Sequence, residues 1–470
     1  MSADLCYTPA IELARQIRAK ALSPVELTRA VLERIERLNP TVNAYCTVTA
    51  EAALETAREA ERAVMRGERL GALHGIPYSI KDLSLTEGVA TKFGSHVFAQ
   101  RLGEVDAPFV RRLKAAGGVM LGKTTTPEFG WKALGDSPLT GISCNPWDTA
   151  TTPGGSSAGA GIAAALGLGP LAQGSDGAGS IRIPSSFCGI FGLKPSYGRV
   201  PMWPVSNNDY ASHTGPMTRT VADAALMLSV MAGPDPWDYT SLEGAPEDYV
   251  GKLDAGVRGL RVAFSPDLGG LRVDPEVATL VKAAARVFEQ LGCTVEDVKP
   301  DFADSTEMIR CLWSCHYTGN YARYLGEFRH RMDPGLVACI EDGMRYSATD
   351  YVTMRGRKIA YWDSVRPLFE TYDLLLTPTV SVPALPVGRL NPEHWPQHAW
   401  DWIGWAGFSY PFNFTGQPAS TVPAGFTPGG LPVGLQIVGR RFADLTVLQA
   451  SAAFESARPW ARRRPSIAGA

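Results

Sequence analysis

Apolar side chains recur at helical spacing in several stretches of the chain, and residues that start or stop helices bound each stretch. The first begins at Ser23-Pro-Val-Glu26, which supplies an N-cap, a proline at N1 and a glutamate at N3. Its apolar positions continue to Leu38, and Asn39-Pro40 is expected to end it. Similar patterns predict helices over 53–64, 106–116 with Asp106 as N-cap, 157–166, 220–231, 274–291 and 445–454, and a helical, aromatic-rich region over 303–372.

Shorter apolar runs between these helices predict strands. Ile76, Tyr78 and Ile80 alternate with smaller or polar residues, and Lys81 falls at the end of their strand. Further strands are predicted over 119–121, 260–264, 294–298, 374–378 and 431–438. Strands that alternate with helices indicate an α/β fold with a mixed sheet. Because the chain shows no internal repeat, linker or low-complexity tail, we expect a single domain over 1–470.

Composition and charge narrow the classes of function. Apolar residues make up 45% of the chain, and the formal net charge is −2, so no basic surface points to nucleic acid or an anionic membrane. We expect no membrane anchor, because no uncharged apolar stretch would span a bilayer and the N-terminus lacks the pattern of a secretory signal. The 8 scattered cysteines fit reduced thiols, which favours a cytoplasmic protein.

One segment matches a phosphate-binding motif by its letters alone. Gly117-Gly-Val-Met-Leu-Gly-Lys-Thr124 fits the Walker A pattern. A phosphate loop follows a strand and opens a helix, whereas here a helix precedes the match and a strand fills it. Pro127 also disfavours a helix directly afterwards. The context therefore argues against a nucleotide site.

The chain is organised around two serine-bearing glycine turns, within 153–157 and 174–184. Glycine tolerates positive φ and lets backbone N–H groups converge on one point, as an oxyanion hole requires. The segment Gly155-Ser-Ser-Ala-Gly159 also fits the nucleophile elbow of α/β-hydrolases, with Ser157 at its centre. An elbow needs an apolar strand directly before it, but 148–153 is polar and ends in proline, so this interpretation is weak.

These turns carry a family resemblance. Pro153-Gly-Gly-Ser-Ser157 and Gly174-Ser-Asp-Gly-Ala-Gly-Ser-Ile-Arg-Ile-Pro184 resemble the signature of the amidase signature family. Gly75-Ile-Pro-Tyr-Ser-Ile-Lys-Asp82 upstream and Gly215-Pro-Met-Thr-Arg-Thr-Val-Ala-Asp223 downstream are similar to its other motifs. The resemblance runs from about Leu22 to about Phe454. It implies a mixed central sheet covered by helices on both faces, an N-terminal helical part over 1–67, a catalytic core over 68–240 and a remainder over 241–470 with an aromatic-rich insertion on the substrate side.

The resemblance also implies a Ser–Ser–Lys triad. Lys81 would be the base, Ser156 the relay on a cis peptide bond, and Ser180 the nucleophile that forms an acyl-enzyme. The backbone N–H groups of Gly177, Ala178, Gly179 and Ser180 would form the oxyanion hole, with Ser157, Ser175, Asp176 and Arg182 as supporting residues. Lys81 must then be neutral at working pH, which requires burial or polar partners that lower its pKa.

The sequence departs from the family pattern at two positions. Ala158 replaces a glycine after the paired serines, and Ala178 replaces a glycine before Ser180. Neither change removes a catalytic group, but the Ala178 methyl lies beside the predicted oxyanion turn.

An aromatic segment, residues 391–410, suggests the substrate. It contains Trp395, Trp400, Trp402, Trp405 and Tyr410, and these rings form either a hydrophobic plug or a substrate wall. With Gly130, Trp131 and Trp203, the wall would select hydrophobic or aryl amides, with some action on esters or carbamates.

Two enzyme classes follow from the resemblance. The first is a stand-alone amidase that acts as a monomer or homodimer on small molecules, without a metal or organic cofactor. The second is a glutaminase that resembles the A-type subunit of tRNA-dependent amidotransferases and works within a larger complex. The aromatic segment favours the first, because glutamine needs polar contacts at its charged ends.

Overall fold

The computed structural model describes residues 2–208, 210–302 and 304–469. Its strands are β1 Tyr45–Val48, β2 Pro77–Lys81, β3 Val119–Thr124, β4 Asp136–Ser137, β5 Gly141–Ile142, β6 Leu171–Asp176, β7 Phe191–Lys194, β8 His213–Thr218, β9 Arg261–Phe264, β10 Thr294–Asp297, β11 Leu374–Pro378, β12 Ala419–Phe426 and β13 Pro432–Gly439. Its helices are α1 Ser2–Tyr7, α2 Ala10–Arg18, α3 Pro24–Val42, α4 Ala50–Arg66, α5 Pro108–Ala115, α6 Ala158–Leu166, α7 Arg182–Cys188, α8 Val221–Met231, α9 Pro275–Ala285, α10 Val287–Gln290, α11 Thr306–Tyr321, α12 Leu325–Phe328, α13 Pro334–Gly343, α14 Ala348–Thr371, α15 Pro411–Phe414 and α16 Asp444–Ala457.

One sheet of 11 strands runs through the chain in the order β1-β3-β2-β6-β8-β7-β12-β13-β11-β9-β10, and β4 with β5 forms a separate hairpin. Strand β2 pairs in parallel with both β3 and β6, whereas β6 pairs antiparallel with β8. The predicted mixed α/β sheet is therefore confirmed.

Helices cover both faces of this sheet. In β12, Ser420 and Thr421 are adjacent and so point to opposite faces. The Ser420 hydroxyl lies 2.8 Å from that of Ser451 in α16. On the face of Thr421, α7 packs closely against β13: an added Cβ at Gly434 would lie 2.7 Å from both the Thr421 methyl and the Ser186 hydroxyl of α7. The Gly434 N–H also donates to that hydroxyl at 2.8 Å.

Of the two N-caps named from the sequence, Ser23 is confirmed and Asp106 is wrong. Ser23 caps α3 through Val25 and Glu26, and Thr220 caps α8 through Asp223. Asp106 does not cap α5, because its carboxylate binds the Glu87 N–H and the Lys114 ammonium instead.

One predicted helix end is wrong, and one predicted helix is divided in two. Helix α3 passes through Pro40 to Val42, since a proline in the last turn removes only one backbone bond there. The helix predicted over 274–291 divides at Arg286 into α9 and α10. The region 303–372 is helical as predicted, although residue 303 lies outside the described residues.

In the part of the chain that is described, no helix is both long and apolar enough to cross a membrane.

Candidate active site

Lys81 lies at the carboxyl end of β2, which is flanked by β3 and β6 in the sheet, and is fully buried. Its Nζ donates to the Ser156 hydroxyl at 2.7 Å and to the Ser175 hydroxyl at 3.0 Å. Its backbone N–H donates to the Gln173 side chain at 3.0 Å, which fixes the end of the strand against β6. Among the residues that the structure describes, the lysine amine therefore contacts two hydroxyls and no carboxylate.

Burial lowers the pKa of Lys81 to about 7, although the charge of Asp176 opposes this shift. A lysine amine with that pKa is neutral in a large fraction of molecules at neutral pH. Neutral Lys81 can accept a proton, and the Ser156 hydroxyl is in contact with it.

The turn before α6 presents Ser156 and buries Ser157. A cis peptide bond joins Gly155 to Ser156. The Ser157 hydroxyl accepts from the Ser175 N–H at 3.2 Å and donates to the Ser175 carbonyl at 3.1 Å. Its own N–H donates to the Ser180 carbonyl at 3.2 Å, so Ser157 ties the two serine turns together. This structural role and its burial set Ser157 apart from a nucleophile.

The second turn is held by the ion pair of Asp176 and Arg182, both without exposed side-chain surface. Arg182 donates to both oxygens of Asp176 and also to the carbonyl of Ser409 and the side chains of Gln436 and Asn413. Burial alone would raise the pKa of Asp176, but the charge and hydrogen bonds of Arg182 hold it well below its usual range. The pair thus stays ionised and fixes the loop that carries Ser180.

The predicted oxyanion hole needs one correction. The Gly179 N–H donates to Asp176 Oδ1 at 2.7 Å, so this N–H stabilises the turn and cannot also bind an oxyanion. Among the described residues, the N–H groups of Gly177 and Ala178 have no such partner, and Gly177 lines the cavity in front of Ser180. The Ala178 methyl is buried within the aromatic core cluster and does not line that cavity.

Ser156, Ser175 and Ser180 line one cavity of about 410 Å³. Gly130 also lines it, and a side chain at this position would meet the Ser156 hydroxyl at 3.1 Å. Trp203 lines the cavity with 40% of its surface exposed. The structure therefore brings these predicted site residues to one place.

The predicted substrate wall is wrong for the remaining aromatic residues. Trp131, Trp400, Trp402, Trp405 and Tyr410 are all buried, Trp395 is half-buried, and all six lie outside the cavity lining. The indole N–H of Trp402 donates to the Trp131 carbonyl at 2.9 Å, and that of Trp405 donates to the Leu390 carbonyl at 3.1 Å. Because each of these two rings fits a core position and satisfies its donor there, the segment packs as a plug.

The cavity has a different aromatic lining, which the sequence did not single out. Trp313, Tyr317 and Tyr321 lie on one face of α11 and line the cavity together with Phe93 and Phe129. Phe129 stacks on Tyr321 with 3.8 Å between the ring centroids. The recurrence of an aromatic residue every four positions along α11 is the sequence pattern that could have predicted this lining. The plug supports this lining from behind, since Trp402 packs edge-on against Trp313 at 5.6 Å.

Known proteins are similar to this chain in sequence and in fold. A family model described as Amidase matches residues 26–448. An acylamidase of Rhodococcus erythropolis is 40% identical over 472 residues, covering 98% of each chain. The A-type subunit of the glutamyl-tRNA(Gln) amidotransferase of Moorella thermoacetica is 38% identical over 490 residues, covering 99% of each. A solved bacterial aryl acylamidase of the amidase signature family superposes with a TM-score of 0.91 at 31% identity, covering 97% of each chain.

Proposed function

The chain belongs to the amidase signature family and is an amide-hydrolysing enzyme, and from this premise we propose that it works through an acyl-enzyme on Ser180. The observation that carries the proposal is the 2.7 Å contact between the buried Lys81 amine and the Ser156 hydroxyl. It supplies a base without a histidine or a metal.

Proton transfer in the proposed reaction runs along this contact. Neutral Lys81 takes the proton of Ser156, Ser156 takes that of Ser180, and Ser180 Oγ attacks the amide carbonyl carbon. The N–H groups of Gly177 and Ala178 stabilise the negative oxygen of the tetrahedral intermediate. Ser156 then returns a proton to the leaving nitrogen as the C–N bond breaks. Water attacks the Ser180 ester by the same route and releases the acid.

The proposed substrates are hydrophobic or aryl amides. The rings of Phe93, Phe129, Trp313, Tyr317 and Tyr321 offer apolar surface to a ring-bearing substrate, worth roughly 1–3 kcal/mol for a well-packed group. Esters and carbamates present the same carbonyl to Ser180, so some activity towards both belongs to the proposal.

A covalent label tests the nucleophile. A sulfonyl fluoride or an activated carbamate should modify Ser180, and mass spectrometry of the digested protein should locate the adduct there. Ser180→Ala should abolish labelling while the protein remains folded. Modification of Ser157 in the unsubstituted protein would contradict the assignment and favour the elbow interpretation.

The second candidate is a glutaminase that serves within an amidotransferase, and the 38% identity to the Moorella protein favours keeping it. Against it, no aspartate or glutamate lies among the described residues that line the cavity, so the ammonium group of glutamine has no ionic partner there. Comparing kcat/KM for an anilide, a short aliphatic amide and glutamine decides between the two. We expect the anilide to be preferred, and a preference for glutamine would reverse the assignment.

A further inference from the structure

The cavity beside Ser180 is bordered by one cation that the proposed reaction does not use. Arg101 lines this cavity, whereas Lys81 lies behind the serines and outside the lining. Among the described lining residues Arg101 has the only permanent charge, since His316 is neutral. Burial lowers the pKa of His316 to about 4, so the imidazole remains uncharged at neutral pH.

Aromatic rings hold Arg101 in place. Its guanidinium carbon lies 5.3 Å from the centre of the Phe93 ring and 5.2 Å from that of Phe98. Phe98 packs edge-on against Phe129 at 5.9 Å, and Phe129 stacks on Tyr321. The cation therefore borders the same ring lining that we propose for the aryl group of the substrate.

Within the described ranges, no carboxylate pairs with Arg101 and no side-chain acceptor binds it. An arginine fork that lies against aromatic rings and has no charged partner loses little entropy when it binds a planar carboxylate. With no acidic residue among the described residues of the lining, a carboxylate would meet attraction and no repulsion of like charge from them.

We propose that the enzyme prefers aryl amides with a carboxylate on the ring, and that Arg101 binds this carboxylate. The inference rests on the proposed amide hydrolysis at Ser180 and names its substrate class. Arg101 is a specificity-determining residue here, and it takes no part in the proton transfers.

Arg441 provides a matched control. Its guanidinium also lies over two rings, 5.9 Å from the centre of Trp362 and 4.7 Å from that of Phe442, but it lines a different surface pocket. If a stacked arginine merely stabilises the fold, replacing either residue should have the same consequences.

The experiment compares carboxylate substrates with neutral carboxamides of the same shape. One pair, 4-acetamidobenzoate and 4-acetamidobenzamide, has the test group on the leaving amine. The other pair, N-phenylterephthalamic acid and its primary amide, has it on the acyl side. The ratio of kcat/KM within each pair is measured from the initial rate of arylamine release, so that any cleavage of the primary carboxamide is not counted. It is measured for the unsubstituted protein and for Arg101→Gln, Arg101→Lys and Arg441→Gln, so that intrinsic reactivity cancels between variants.

We expect Arg101→Gln to lower the carboxylate preference of at least one pair about tenfold, as for a partly exposed charged hydrogen bond. Arg101→Lys should retain part of that preference, Arg441→Gln should retain all of it, and added salt should reduce it. A ratio unchanged by Arg101→Gln in both pairs, or changed equally by Arg441→Gln, would overturn the inference.

The two sets of substrates separate this inference from the proposed function. If neutral anilides are hydrolysed but Arg101→Gln leaves both ratios unchanged, only the role of Arg101 is wrong. If no anilide is hydrolysed and no adduct forms on Ser180, the proposed function fails as well.

Discussion

Two buried lysines on neighbouring parallel strands differ in their hydrogen-bonding partners. Lys81 ends β2 and contacts the hydroxyls of Ser156 and Ser175. Lys123 lies in β3, opposite Ile80 in the strand register, and is equally without exposed surface. Its Nζ donates to the Ser84 carbonyl and to two threonine hydroxyls, Thr86 at 3.1 Å and Thr91 at 3.2 Å.

The charges near the two lysines differ as well. Burial lowers the pKa of Lys123 to about 8, opposed first by the charge of Asp82. Asp82 accepts the N–H groups of Lys92 and Gly94, so this second centre holds the loop over 82–95 in place. At Lys81 the opposing carboxylate is Asp176, which is already paired with Arg182.

The difference teaches that burial alone does not make a lysine a base. The Thr86 and Thr91 hydroxyls beside Lys123 donate to the carbonyls of Ser84 and Val89, at 3.4 Å and 3.2 Å. Because a carbonyl oxygen can only accept, this set of partners favours the charged form of Lys123 as an anchor. A serine hydroxyl can also donate its proton, so Lys81 and Ser156 can exchange one. The hydrogen-bonding partners of the two lysines, more than their pKa values, therefore distinguish the proposed base from the structural anchor.

The largest effect should come from Lys81→Met. It removes the proposed base, so kcat/KM for an anilide should fall about 10³-fold or more, while circular dichroism and the unfolding transition show a folded protein. Activity near that of the unsubstituted protein at neutral pH would remove the distinction between the two lysines.

The pH dependence of kcat/KM should show the same base. Protonated Lys81 cannot accept a proton, so kcat/KM should fall about tenfold per unit as the pH drops below the pKa of about 7 and level off above it. Measuring this profile for an anilide whose own ionisation lies outside the range checks the sign. If kcat/KM instead fell as the pH rose from about 6 to about 8, the result would contradict a lysine base.

Lys123→Met should have a smaller effect, mainly on stability. The change takes the charged donor away from the buried Ser84 carbonyl, which keeps only the Thr86 hydroxyl at 3.4 Å, so the free energy of unfolding should fall by about 1–3 kcal/mol. Chemical denaturation measures this loss. Because the loop over 82–95 lines the cavity, kcat/KM should also fall, but at least tenfold less than for Lys81→Met. Equal losses of activity in both variants would make the two lysines equivalent.

The sequence distinguishes these lysines only through their motifs. Lys123 completes a match to the Walker A pattern, but the β-strand that fills the match leaves no phosphate loop. Lys81 ends a similar apolar strand and would pass for a solvated lysine without the family resemblance. The resemblance names Ser156 and Ser180 as the other members of the triad. The contact between the Lys81 amine and the Ser175 hydroxyl, at 3.0 Å, is seen only in the structure.

Some central strands could not be predicted because small residues take the place of an apolar pattern. Strands β6, β7, β8 and β12 escaped prediction, since they are buried on both faces and lack alternation. At Gly192 in β7 an added Cβ would lie 2.0 Å from the Ser185 hydroxyl of α7. At Gly215 in β8 it would lie 2.1 Å from the Leu193 carbonyl. Close packing selects glycine there, and glycine weakens the signal of a strand.

Aromatic composition was the least reliable guide. The tryptophans over 391–410 were as consistent with a plug as with a wall, and the burial of Trp400, Trp402 and Trp405 shows a plug. Trp313 and Tyr317 line the cavity because α11 turns that face towards Ser180, which depends on packing across the whole chain.

The central claim is that Lys81 is the buried base and is neutral at working pH. The most direct test is NMR of the protein with ¹⁵Nζ-labelled lysine, titrated in the Ser180→Ala background with Lys81→Met and Lys123→Met to assign the two buried signals. We expect the Lys81 signal to titrate near pH 7. A Lys81 amine that stays protonated up to about pH 10, as an ordinary lysine does, would contradict this claim.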